Sequence, residues 1–243
     1  MKRSSVVLAL CIGVFLLFSA VSLLDPTGPL NFNRNPDTLT ILISISIVLT
    51  IAAFVLEFEN RALKAREISL ASMLGAVSAV SRIPFGPIPS LQPCTFLVIC
   101  SGYAFGSVTG FMVGMLTAII SNFFFGHGPW TIYQMFAWGL VGASSGLLGR
   151  VKMPRKLLIP FGLAWGYCFG FIMNLWFLTA FGFPVNIKSL VSLQLLSLWP
   201  DTLHGVGNAI FIALFGSRII RILERFKSRQ LLVFTNQDKN KPQ

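Results

Sequence analysis

Charge is what this chain has least of. Only 11 % of its 243 residues are Asp, Glu, Lys or Arg, where a soluble domain carries about a quarter. Acidic residues number 8 and histidines 2, too few for an acidic metal cluster or a carboxylate-rich active site. No charged residue occurs between Ile83 and Gly149, and Ser4–Leu24, Thr38–Leu56 and Leu157–Ile187 are uncharged as well. Uninterrupted charge-free stretches of this length exclude a soluble globular core, because roughly 20 predominantly apolar residues already cross a bilayer. The four cysteines, Cys11, Cys94, Cys100 and Cys168, form no C-x-x-C pair and have no histidine close by in sequence. Disulfide or metal use is not indicated, and they read as small apolar packing residues. A phosphate-cradling Gly loop is missing too, so the chain does not hydrolyse ATP through a P-loop of its own. No cofactor is called for.

What is present is an apolar fraction of 54 %, parcelled into spans. About eight helices are expected, or seven or six if the short third and fourth do not both cross: Ser5–Leu24, Thr38–Leu56, Ile68–Ser81, Cys94–Ser107, Val108–Phe125, Ile132–Leu148, Leu157–Phe181 and Asp201–Leu223. Proline and glycine punctuate them at Pro84 to Pro93, at Gly126-His127-Gly128-Pro129 and at Phe183-Pro184. Met1-Lys2-Arg3 before Val6–Leu24 resembles a signal peptide, but the apolar stretch exceeds the usual run of roughly 7–15 residues, so an uncleaved span is expected. The net charge of +11 lies between spans rather than on a soluble surface. With the N-terminus inside, 16 of the 19 Lys and Arg residues face inward, and only Arg34, Arg82 and Lys188 face outward. The positive-inside rule thus predicts a multi-pass protein of the cell membrane with both termini cytoplasmic.

Small residues recur every fourth position: Ala71, Gly75 and Ala79; Gly102 and Gly106; Gly110, Gly114 and Ala118; Gly162, Gly166 and Gly170. In lipid such stripes let helices approach closely, usually within one protein. Ala71, Gly75 and Ala79 are also candidates for meeting a partner. Polar groups in spans are costly and therefore informative. Trp130, Gln134 and Trp138 share one helix face, as do Asp201, His204 and Asn208. Asn122 and Asn174 extend small-residue stripes. The adjoining loops add Arg82, Ser90 and Gln92 on one side, and His127 and Thr131 on the other. By the orientation above, all lie in the outer half of the bilayer or at its edge. Aromatic faces with scattered amides and hydroxyls suit a partly flat, weakly charged organic molecule. Asp201 with His204, one turn apart, also invites a catalytic reading on a lipid or isoprenoid. Against it, Pro200-Asp201 reads as a helix opening with Asp201 as its N-cap.

These motifs resemble a known family. Ala71-x3-Gly75-x3-Ala79, the loop from Arg82 to Pro93, Ser121 to Thr131 with its Gly-Pro-Trp-Thr stretch, and Gln134 to Leu140 are similar to the membrane-embedded substrate-binding subunits (S components) of energy-coupling-factor vitamin transporters. The resemblance spans roughly Arg66 to Arg225. It implies an all-α integral membrane protein with a six-helix core at residues 65–227; the first two spans depart from the family as a two-helix extension at 1–64, and a polar tail is expected at 228–243. It implies a vitamin-binding subunit without enzymatic activity, which captures its ligand outside and docks onto a transmembrane coupling subunit and two cytoplasmic ATPases. The coupling face falls on Ala71, Gly75 and Ala79. Family ligands differ, and the long aromatic outer surface makes cobalamin one candidate among the vitamins.

Overall fold

The computed structural model describes residues 36–60, 65–181 and 187–239, and among them only helices and turns occur. The helices are α1 (Pro36–Asn60), α2 (Ala65–Ser81), α3 (Cys94–Phe105), α4 (Ser107–Phe125), α5 (Trp130–Arg150), α6 (Leu158–Ala180), α7 (Ile187–Leu196), α8 (Leu198–Phe211) and α9 (Ser217–Lys239). A π-helical stretch, Ile212–Gly216, joins α8 to α9. Ser5–Leu24, the first expected span, lies outside the described residues.

Among the described residues, five helical segments are long and apolar enough to cross a membrane: Ile41–Glu59, Glu67–Phe85, Ser107–Phe125, Arg155–Ala180 and Leu198–Arg229. The expectation of a helical membrane protein therefore holds, while the described residues carry fewer such segments than the eight spans expected. The differences have physical causes. The 12-residue α3 is only about 18 Å long, short of the roughly 30 Å hydrocarbon layer. The 21-residue α5 is long enough, but tryptophan, glutamine, glycine and serine dilute its apolar character. Helix α7 was not anticipated, since its ten residues carry Lys188, Ser189, Ser192 and Gln194. Helix α8 opens at Leu198 with Ser197 at the N-cap position, three residues before the expected start. Asp201 is thus not the N-cap; it stands inside the first turn, where Pro200 is tolerated because those amides lack helical acceptors. Helix α9 runs on to Lys239, through the stretch expected as a polar tail.

The core is a glycine seam. Helices α3 and α4 are separated by one residue, Gly106, whose φ of 95° is accessible to glycine at no steric penalty. That reversal folds α3 and α4 against each other, and α5 packs into both. A Cβ on Gly142 would strike the Gly110 carbonyl, and one on Gly102 or Gly110 would strike the Gly142 carbonyl. The backbones meet without intervening side chains, which maximises dispersion contact where lipid supplies no hydrophobic drive. Around the seam, Val98, Ile99, Phe111, Val113 and Val141 are fully buried. Helix α1 lies on this core through the parallel stack of Phe54 on Phe111, with centroids 4.0 Å apart, and a Ser44–Tyr133 hydroxyl bond of 3.1 Å. Helices α6 and α8 form the other wall, with Gly166 backed directly onto Gly205.

Candidate functional site

At the end of the bundle where α2, α4 and α8 bring Arg82, Phe125 and Asp201 together, a cavity of about 230 Å3 opens. It is lined by Arg82, Ser90, Gln92, Gln134, Trp138, Phe169, Gly170, Met173, Asp201 and His204. Six of these were expected from sequence: Arg82, Ser90, Gln92, Gln134, Trp138 and His204.

Arg82 follows the last turn of α2 and points inward, being only 6 % exposed. Its Nε donates to Gln92 Oε1 at 2.7 Å, and Nη1 donates to the Ser121 hydroxyl. The guanidinium carbon lies 4.6 Å from the Phe125 ring centroid and 4.7 Å from that of Trp138. A planar delocalised cation is the one basic group that can stack on aromatic rings while its edge donates to amide and hydroxyl oxygens. Arg82 is therefore held by the protein rather than reaching outward to the interface.

Trp138 forms the next layer. Its Nε1 donates to Thr95 Oγ1 at 2.9 Å, and the same hydroxyl bonds His204 Nε2 at 2.8 Å. Phe169 packs against both rings, with centroids 4.8 Å from Trp138 and 5.0 Å from His204. Thr95 on α3 thus ties α5 to α8 under the cavity. Gln134 is positioned by Asn122, whose amide nitrogen donates to Gln134 Oε1 at 2.7 Å and to Thr131 Oγ1 at 3.0 Å. Asn122 and Thr131 support the wall without lining it.

Across the cavity stands Asp201. Its Oδ2 accepts from Gln194 Nε2 at 2.7 Å and from the Ser197 hydroxyl at 2.8 Å. Asn174 reinforces that pair, donating to Ser197 Oγ at 2.8 Å and to Gln194 Oε1 at 3.3 Å. Gly170 makes the room: a Cβ there would collide with the Asp201 carboxylate. Asp201 and His204 do not bond each other. Each is committed to separate partners, so no acid–base pair is assembled.

The remaining candidates lie elsewhere. His127 meets the edge of Phe123 at 4.9 Å and does not line the cavity. Trp130 packs edge-on against Trp176 at 5.7 Å. Asn208 is fully buried between α6 and α8; its Nδ2 donates to the Gly162 carbonyl at 3.1 Å, and its Oδ1 has no partner. Ala71, Gly75 and Ala79 are buried within the chain. A Cβ on Gly75 would lie 2.7 Å from Leu116 Cβ on α4, while α2 exposes Ile68, Met73, Val77 and Val80 instead.

Thr95, Phe169 and Met173 were not singled out from sequence, and Gly170 was read only as part of the Gly162 stripe that Asn174 extends. Thr95 in an apolar stretch gives no such signal. Among the described residues, no group of three or more His, Cys, Asp or Glu side chains comes together to hold a metal.

A polytopic helical bundle with a small polar-and-aromatic cavity at one end is an architecture that suits a membrane binding subunit. The family described as ECF transporter, substrate-specific component, matches residues 66–223, which takes in every cavity residue; the chain belongs to that family. No curated protein and no solved structure matches it. Membership makes the protein a transporter subunit of the membrane, with a small-molecule substrate and coupling and ATPase partners in general.

Proposed function

We propose that this subunit captures a vitamin-sized, amphoteric molecule from outside the cell, with Arg82 and Asp201 reading its two ends. The observation that carries this is the presence of both groups, already oriented by neighbours, in one cavity walled by Trp138, Phe169 and Met173. Arg82 suits a carbonyl, carboxylate or ring-nitrogen acceptor. Asp201 suits a donor or a cationic nitrogen. Gln92, Gln134 and Ser90 supply further hydrogen bonds, and the rings supply stacking. The cavity's 230 Å3 lies below the roughly 300–1,000 Å3 of drug-sized sites. It favours a ligand of one or two rings over cobalamin, whose corrin alone is far larger.

The orientation follows the basic residues: the cavity end carries Arg82 and Lys188, and the opposite end carries the basic clusters, as expected for an outward-facing site. Delivery inward would proceed by association with a transmembrane coupling subunit and two ATPases. A coupling role for Ala71, Gly75 and Ala79 then requires α2 to part from α4 on docking, since these residues face inward. The test is to purify the chain and screen micronutrients by thermal shift and calorimetry. Binding of a small heterocycle that weakens in Asp201→Asn and Arg82→Met supports the reading. No binding of any micronutrient at high micromolar concentration overturns it.

A further inference from the structure

The opposite end of the bundle holds a second and much larger cavity, about 1270 Å3. Its floor is the turn where α3 passes into α4, with Tyr103, Ala104, Gly106 and Ser107; its walls are the end of α5 and the middle of α9. Four basic residues, Arg150, Lys152, Arg155 and Lys227, line it against a single acid, Glu224. Two of the four are committed. Arg155 Nη2 pairs with Glu224 Oε2 at 2.6 Å. Lys227 Nζ donates to the Ala104 carbonyl at 2.8 Å, at the C-terminal turn of α3 where carbonyls lack helical donors. Arg150 and Lys152 are exposed, and among the described residues neither has an acidic partner. Helix α4 opens into the same cavity at Ser107 with no side chain capping its first amides, so the positive end of its dipole adds to the field.

The apolar surface beside these charges decides the kind of ligand. Leu147 lines the cavity and is 56 % exposed one turn before Arg150, and Val151 beside it is 69 % exposed. Basic groups therefore stand directly beyond an uncovered apolar strip at the end of an apolar helix. A free phosphate has no use for that strip. A phosphodiester with acyl chains presents the same order of chemistry, from anion to hydrocarbon, and basic pockets between helices at the cytoplasmic side favour such headgroups. We infer that this groove seats an anionic phospholipid, with the headgroup phosphate at Arg150 and Lys152 and an acyl chain along Leu147. The leaflet follows from the proposed orientation; the binding itself does not depend on it or on the transported ligand.

The experiment compares phosphatidylglycerol with phosphatidylcholine of the same acyl chains, bound to the detergent-purified full chain and read by native mass spectrometry. R150Q/K152Q removes the free charges; R218Q/R221Q removes the same charge from α9 outside the groove. Wild type should prefer phosphatidylglycerol. R150Q/K152Q should weaken that lipid by on the order of tenfold or more, at about fivefold per charge, and leave phosphatidylcholine unchanged. The control should retain the preference. An equal loss in the control overturns the site in favour of diffuse surface charge. Undiminished phosphatidylglycerol binding in R150Q/K152Q overturns it outright; if that variant also fails to assemble with the coupling complex, the groove binds an acidic protein surface instead. Unchanged thermal unfolding of both variants shows that they are folded.

Discussion

Thr95→Val tests whether the cavity floor is organised as described. The substitution keeps shape and β-branching and removes one hydroxyl. That hydroxyl serves two helices at once, accepting from Trp138 Nε1 at 2.9 Å and bonding His204 Nε2 at 2.8 Å. Trp138 is 2 % exposed and His204 8 %, so both bonds are shielded from water although the two rings line the cavity. Side-chain bonds between membrane helices contribute about 0.6 kcal/mol on average and up to about 1.7. Losing two together should destabilise the fold by about 1 to 3 kcal/mol. The internal control is Thr117→Val. Thr117 is equally buried, but its hydroxyl only bonds the Val113 carbonyl of its own helix, at 2.7 Å, so its loss should change stability by less than about 0.5 kcal/mol. Both are measured by unfolding titration in mixed micelles. Ligand affinity should fall severalfold in Thr95→Val, because Trp138 and Phe169 lose their fixed relation, and should be restored in Thr95→Ser. Equal stability of the two valine variants would refute the hub.

Gly142→Ala should destabilise the bundle by about 1–3 kcal/mol, since its Cβ meets the Gly110 backbone and no side chain can yield; unfolding titration reads it. Gly170→Ala should displace the Asp201 carboxylate and weaken ligand binding by about tenfold or more, the value of a hydrogen bond to a charged group, with smaller effect on stability; calorimetry separates the two. Arg82→Lys should bind ligand more weakly than wild type despite its conserved charge, because an ammonium cannot stack between Phe125 and Trp138 while donating to Gln92 and Ser121. Gly75→Leu should lower stability, binding and transport together, because the new side chain enters the α2–α4 contact; lost transport with intact binding would show instead that the stripe meets a partner.

Six of the twelve residues expected to meet a substrate line the cavity, and the sequence explains which of them could be placed there. Gln134 and Trp138 were legible because one helix face repeats polar and aromatic groups, and that face is a local property. Arg82 was legible as a charge beside an otherwise uncharged stretch. His127 and Trp130 share the same depth and composition but point elsewhere, and depth alone cannot distinguish them. Thr95 was invisible because its importance lies in partners 43 and 109 residues away.

The membrane character, the helical class and the lopsided distribution of basic residues follow from sequence alone, because hydrocarbon thickness and backbone hydrogen bonding act on each segment independently. The small-residue stripes likewise announced close packing. Which way a stripe faces was decided only in three dimensions. Ala71, Gly75 and Ala79 would read identically whether turned toward α4 or toward a partner. So it was with Asp201, whose carboxylate is aimed by Gln194, Ser197 and the missing side chain of Gly170, and with the cavity's volume. Both depend on how helices distant in sequence settle against one another, and no local pattern encodes that.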